Sequence, residues 1–240
     1  MRPKDAFTDE QIARFRAIEK MRAARGESRL REFFDECIKG LDPNNETAAL
    51  VIEEPVRVAQ ARRLFELGVG TEFGTFEKYL ATIPDIPTKL LEDDPNFPLL
   101  VLVDPRQGLT KLCALGDVFI DRYVGINFYD KQERGKGPYW IRIQNGEKYK
   151  GLSVDEWKEK VEYNEIGLTV FEGVCTHLQW PNIIKNHEVS DGHAMDLPGS
   201  YEGKGITPHL VMREDLKVYL GRASNLLRGE KFGQATKHAF

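Results

Sequence analysis

Pro84-Asp85-Ile86-Pro87, followed by Pro95-Asn96-Phe97-Pro98-Leu99-Leu100-Val101-Leu102-Val103-Asp104-Pro105, is where the chain changes character. Proline lacks a backbone N–H and fixes φ, so four prolines at 84, 87, 95 and 98 make 83–98 read as a linker. The apolar run 99–103, stopped by Asp-Pro, reads as a buried strand. Apolar residues before this point follow helical spacing. After it come short strand signals separated by turns. The expected fold class is therefore α+β: a helical N-terminal region, 1–95, followed by an α+β domain, 96–240. That domain would hold a mixed or antiparallel sheet with one or two packed helices, the alternative being that the two parts form one continuous unit.

Upstream, Thr8-Asp9-Glu10-Gln11 is a capping box that opens a helix running to about Arg25, where Gly26 can end it. Leu30, Phe33, Phe34, Cys37, Ile38 and Leu41 follow the i, i+3, i+4, i+7 pattern of a buried helical stripe, closed by Gly40 and Pro43. Cys37 lies in that stripe and reads as a small core residue. A third helix is expected from about Glu46 to Leu67, broken or restarted at Pro55. A short one follows, from Phe76 to Thr82.

Downstream, Val124–Tyr129 and Tyr139–Gln144 read as strands. In the latter, Trp140 and Arg142 point one way and Tyr139, Ile141 and Ile143 the other. Asn145-Gly146 tolerates positive φ at both positions and predicts a hairpin. His209–Met212 and Lys217–Leu220 read as strands joined by a tight turn at 213–215. Gly-Leu-Ser/Thr recurs at 108–110, 151–153 and 167–169, a pattern that starts helices. Ser153 with Glu156 and Thr169 with Glu172 complete capping boxes, and Leu152 is placed to pack on Trp157.

The 240 residues carry a net charge of −4, unevenly spread. Residues 1–31 hold +4, residues 222–240 hold +3, and 32–221 hold −11. Arg22, Arg25 and Arg29 share a helical face and offer a phosphate-tracking surface, so nucleic acid is a possible partner of the basic 1–31 segment. A solvated helix face looks the same, and neither a zinc-finger pattern nor an overall basic balance supports the idea. Three dispersed cysteines, Cys37, Cys113 and Cys175, exclude a disulfide framework and a C-x-x-C motif, pointing to a reducing cytoplasm. No apolar run approaches the ~20 residues of a membrane span.

Chemistry-bearing residues gather late in the chain. His187, Asp191, His193 and Asp196 fall within ten residues on a turn-rich stretch, a donor set suited to zinc or iron. Their spacing matches no zincin signature, and a polar loop would look alike. Ser200, in Leu197-Pro198-Gly199-Ser200, could serve a hydrolase with one of these histidines as base and Asp191 or Asp196 as orienter, but it lacks the Gly-x-Ser-x-Gly elbow. Cys175 and His177 sit two apart on an expected helix and so face apart. Gly68-Val69-Gly70-Thr71-Glu72-Phe73-Gly74 has one residue too many for a dinucleotide fingerprint and follows a helix, where a strand is required.

Pro138–Gln144, Gly167–Gly173, Leu178-Gln179-Trp180-Pro181, Leu197–Ser200 and Tyr219–Ser224 occur in that order. Together they resemble a bacterial family known only as a domain of unknown function. The likeness spans roughly 97–225 and implies a shared fold and a bacterial or bacteriophage origin, but no activity, cofactor or catalytic residue. Its blocks hold Trp140, Arg142, Glu172, His177, Gln179, Trp180, Ser200, Arg222 and Ser224, which could converge at one cleft. From these, His177, Ser200 and Arg142 are the candidate catalytic residues; Trp140 and Trp180 as core, and Glu172 as a cap, is the plainer reading. Two function classes follow. One is a soluble, non-catalytic binding or accessory protein with an unknown protein or small-molecule partner and no membrane. The other is a small metal-dependent enzyme or hydrolase using 187–196.

Overall fold

The computed structural model describes residues 46–121, 128–132, 135–185, 192–227 and 229–239, with side chains from 55 onward. The chain divides into two compact units, Met1–Ile52 and Glu53–Phe240. The helices read at 8–25 and 30–41, with Cys37 and the arginines at 22, 25 and 29, lie outside the described residues, as does 124–127 of an expected strand.

Helix α1 (Glu46–Glu66) continues through Pro55 instead of breaking there. One proline removes a single intrahelical bond, and beyond it the helix is anchored by its side chains. Ala61 and Leu64 are fully buried, Arg57 donates to the carbonyls of Leu80 and Ile83, and Arg63 donates to the Leu178 carbonyl at 2.5 Å. Gln60 has a further role. Its amide donates to the Leu100 carbonyl and accepts from the Leu102 N–H, both at 2.8 Å. It thereby stands in for a neighbouring strand along β1 (Leu99–Val103), an edge strand that would otherwise offer free pairing groups.

Helix α2 (Phe76–Leu80) is capped by Thr75 and ends before the expected Thr82. The segment 83–98 is packed chain, not a linker. It forms a single turn, α3 (Thr88–Leu91), and buries Ile83, Ile86, Leu90 and Phe97. Its carbonyls find distant donors. The Trp140 indole donates to Pro84 at 2.9 Å, and Arg142 donates to Leu90 at 2.6 Å and Phe97 at 3.2 Å. Proline is tolerated here because the long-range bonds to this segment use its carbonyls, which proline keeps.

After α4 (Leu109–Leu115) and β2 (Val118–Ile120), the remaining strands are β3 (Tyr129–Asp130), β4 (Tyr139–Gln144), β5 (Glu165–Gly167), β6 (Ala194–Asp196) and β7 (Ser200–Tyr201). β8 (Ile206–Met212), β9 (Val218–Ser224), β10 (Phe232–Gln234) and β11 (Thr236–His238) follow. β1-β4-β11-β5 form an antiparallel sheet. β10-β6-β8-β9-β2 form a mixed one whose outer pairs are parallel, and β3-β7 form a two-stranded ribbon. The expected α+β class holds. So does the expected β8–β9 hairpin, which turns through Leu216 at φ 61.

Asn145-Gly146 does not make the expected hairpin: β4 pairs with β1 and β11, and Gly146 (φ 101) opens a 3-10 turn, Glu147–Tyr149. Glycine is required there for a backbone crossing. A Cβ on Gly146 would lie 2.3 Å from the Gly233 carbonyl oxygen, and one on Gly233 would lie 2.1 Å from that of Gly146.

All three Gly-Leu-Ser/Thr tripeptides lead into helices. Gly108 precedes α4, and Ser153 caps α5 (Val154–Lys160) with the full capping box to Glu156. α5 covers a small second core of Tyr149, Val154 and Trp157, with Leu152 packed on it as expected. Ser153→Ala is expected to cost about 1 kcal/mol in urea unfolding; an unchanged midpoint would mean the Ser153 hydroxyl contributes nothing to α5. Helix α6 (Val170–Gln179) is the central buried helix. Val170, Val174, Cys175 and Leu178 join Val101–Val103 of β1 and Leu210 and Leu220 of the mixed sheet in the main core.

Candidate functional site

Three residues of the recognisable sequence blocks, Tyr139, Glu172 and Ser200, meet at the start of α6. Thr169 leaves β5 in an extended conformation, and its hydroxyl accepts from the Glu172 N–H. Glu172 reaches back to accept from the Thr169 N–H at 2.8 Å. The turn Pro198-Gly199 is pressed onto this end by a second glycine crossing. Gly199 N–H donates to the Leu168 carbonyl at 2.8 Å, and a Cβ on Gly199 would lie 2.2 Å from the Gly167 carbonyl oxygen. That approach delivers the fully buried Ser200 hydroxyl to the Val170 N–H, from which it accepts at 2.9 Å. The same hydroxyl donates to Asp130 at 2.5 Å.

Glu172 is the hub. Besides the Thr169 N–H, it accepts from the Tyr139 hydroxyl at 3.1 Å and from Lys237 Nζ at 2.5 Å. Lys131 closes the outer side, its backbone N–H donating to the Gly199 carbonyl and its Nζ to the Pro198 carbonyl at 2.6 Å. Burial, with nearby Lys158, lowers its pKa. Of the nine residues read as able to converge, Glu172 and Ser200 come together here, joined by Tyr139, Asp130 and Lys237, which that reading did not include. The tail's basic balance was the only trace of Lys237.

Chemically this is a capping network. Among the described residues, Ser200 has two partners, a carboxylate and a backbone N–H, and neither is a histidine that could serve as the base of a serine hydrolase. Ser200→Ala removes the acceptor of a buried N–H and should cost about 1–3 kcal/mol in thermal denaturation. A variant as stable as wild type would show that the hydroxyl does not cap α6.

The other sequence candidates lie apart from this network. His177, buried on α6, has its pKa lowered by burial, which a backbone hydrogen bond at Gly116 opposes. Arg142 holds the carbonyls of Leu90 and Phe97, and burial lowers its pKa too. Of the four proposed metal ligands, His187 and Asp191 lie outside the described residues. His193 is fully buried with Nε2 on the Asn145 carbonyl at 2.7 Å. Asp196 accepts from Gln234 Nε2 at 2.9 Å, and burial raises its pKa to about 7. Among the described residues, no three His, Cys, Asp or Glu side chains come together to hold a metal ion. Burial pushes the Cys113 and Cys175 thiols up to about 12, so both are inert core residues near neutral pH.

Two aromatic pairs lie toward the surface. Tyr129 and Tyr201, 60% and 38% exposed, stack across the β3–β7 ribbon with ring centroids 5.6 Å apart. Phe119 and Tyr219 pair on β2 and β9, with Lys217 and Arg213 over the two rings. No helix among the described residues is long and apolar enough to cross a membrane. No family model, curated protein or solved structure matches this chain.

Proposed function

We propose that this chain is a cytoplasmic, bacterial, non-catalytic binding or accessory protein. One observation carries the reading: the side chains best suited to chemistry are engaged in holding the fold. Ser200 caps α6, Glu172 gathers three donors, and Arg142 holds two carbonyls of the 83–98 segment. The bacterial origin rests on the resemblance of 97–225, and the compartment on cysteine usage. Exposed aromatic pairs on the ribbon and on β2–β9 supply contact surface of the kind that interfaces favour.

The test uses full-length, untagged protein. A serine-directed fluorophosphonate probe should leave Ser200 unlabelled, and Tyr129→Ser/Tyr201→Ser should abolish a specific, saturable interaction that wild type shows in pull-downs. Metal analysis by mass spectrometry, wild type beside His187→Ala/His193→Ala, addresses the enzyme class. Stoichiometric zinc or iron lost in the double variant, or labelling at Ser200, overturns the proposal.

A further inference from the structure

The last strand segment is recognised the way a peptide ligand is. Phe232–His238 runs as β10 along the edge of the mixed sheet, beside β6, and then as β11 through the interior of the antiparallel sheet, between β4 and β5. In that sheet β5 pairs with β11 alone. The segment thus fills a slot between two sheets. Main-chain bonds hold it along its length: Phe232 O accepts from Gly151, Ala235 O from Leu168, and Ala235 N–H donates to Asp196.

Side chains read its sequence. Three buried carboxylates line the slot, and each accepts from a different residue of the strand. Asp196 takes Gln234 at 2.9 Å, Glu165 takes Thr236 at 2.8 Å, and Glu172 takes Lys237 at 2.5 Å. Gly233 is the position where the Gly146 backbone leaves no room for a Cβ. Ala235 is the strand's one fully buried apolar residue. Main-chain pairing for affinity, with side-chain sites for selectivity, is the logic of β-strand addition. Charge matches as well: residues 222–240 carry +3 and 32–221 carry −11.

From these observations, we propose that the C-terminal strand is exchangeable: the slot takes residues 232–238 of a second copy of this chain in place of its own, giving a reciprocal dimer. Apart from Ala235 in the core and the Phe232 ring, which packs edge-on against His209, the strand is held mainly by polar bonds that a second copy's strand reproduces one for one. The connection from β9 carries Leu226 and Leu227, 78% and 64% exposed. In a reciprocal exchange the two connections run side by side at the two-fold axis, where these leucines would cover one another.

The full-length chain is incubated at high concentration, diluted, and followed by light scattering. The expected result is a dimer that outlasts dilution by hours, since reversal requires stripping a strand from both sheets. Excess synthetic peptide 230–240 during incubation should reduce the dimer by about tenfold or more, and the same peptide carrying Lys237→Glu, which sets a second carboxylate against Glu172, should not. A chain that stays monomeric at every concentration overturns the proposal, as does a dimer that dissociates at once or ignores the peptide. Peptide capture by a chain that remains monomeric assigns the slot to a strand from another protein and equally overturns exchange between copies.

Discussion

Glu172→Ala is expected to lower the free energy of unfolding by about 3–5 kcal/mol. Glu172 is 1% exposed and accepts from the Thr169 N–H, the Tyr139 hydroxyl and Lys237 Nζ. Alanine orphans all three donors, and the Lys237 side chain, 14% exposed, then holds a charge with no counter-ion in largely dry surroundings. The loss is mostly the penalty for the stranded ammonium, which makes a second expectation. Lys237→Met in the Glu172→Ala background should recover part of the stability, because an apolar pair of similar volume carries no desolvation penalty. Glu172→Gln keeps an acceptor for Thr169 and should fall between wild type and alanine. Urea unfolding of wild type, Glu172→Ala, Lys237→Met and the double variant gives the cycle, with Glu172→Gln measured beside them. A Glu172→Ala variant within 1 kcal/mol of wild type, or a double variant less stable than either single, would show that the hub is not where the energy lies.

The same hub shows which parts of the molecule the sequence could reveal. Thr169 and Ser153 were legible as caps because a capping box is complete within four residues. The 99–103 strand was legible because burial on both faces leaves an unbroken apolar run. Tyr139 and Ser200, by contrast, reach the α6 cap from 33 and 30 residues away, and Lys237 reaches Glu172 across 65. No local pattern encodes such pairings, so Lys237 registered only as charge in a basic tail. The misread linker and the misread hairpin turn have one cause. Prolines at 84–98 and glycine at 146 were assigned their commonest local roles. Their actual roles are set by Trp140 and Arg142 binding carbonyls across the core, and by Gly233 crossing Gly146. Pro55 follows suit: long-range anchors at Arg57, Gln60 and Arg63 outweigh its local preference. The proposed metal quartet remains half placed, with His193 and Asp196 on separate buried partners.

Asp196 gives the largest expected dependence on pH. Its carboxyl is buried at the junction of β6 and β10, with the neutral Gln234 amide as its bonded donor and His209 as its cross-strand neighbour on β8. Burial raises its pKa to about 7 from 3.8. The native state therefore holds a proton that the unfolded chain has lost throughout that interval. The stability this contributes is fully present below the unfolded value and is lost as pH rises through the folded one. Three pH units correspond to about 4 kcal/mol in total, with a plateau above pH 7. His177 and His193 act oppositely. Burial lowers both, so each resists protonation when folded and costs stability as pH falls through the ordinary histidine value. Wild type alone superimposes these slopes; its difference from Asp196→Asn isolates the aspartate. The asparagine variant should match wild type near pH 4 and grow progressively more stable than wild type up to pH 7, then keep a constant advantage. Unfolding curves at half-unit steps across that range measure it directly. A difference that does not change with pH would place the Asp196 carboxyl in a far more polar setting than its burial between β6, β8 and β10 describes.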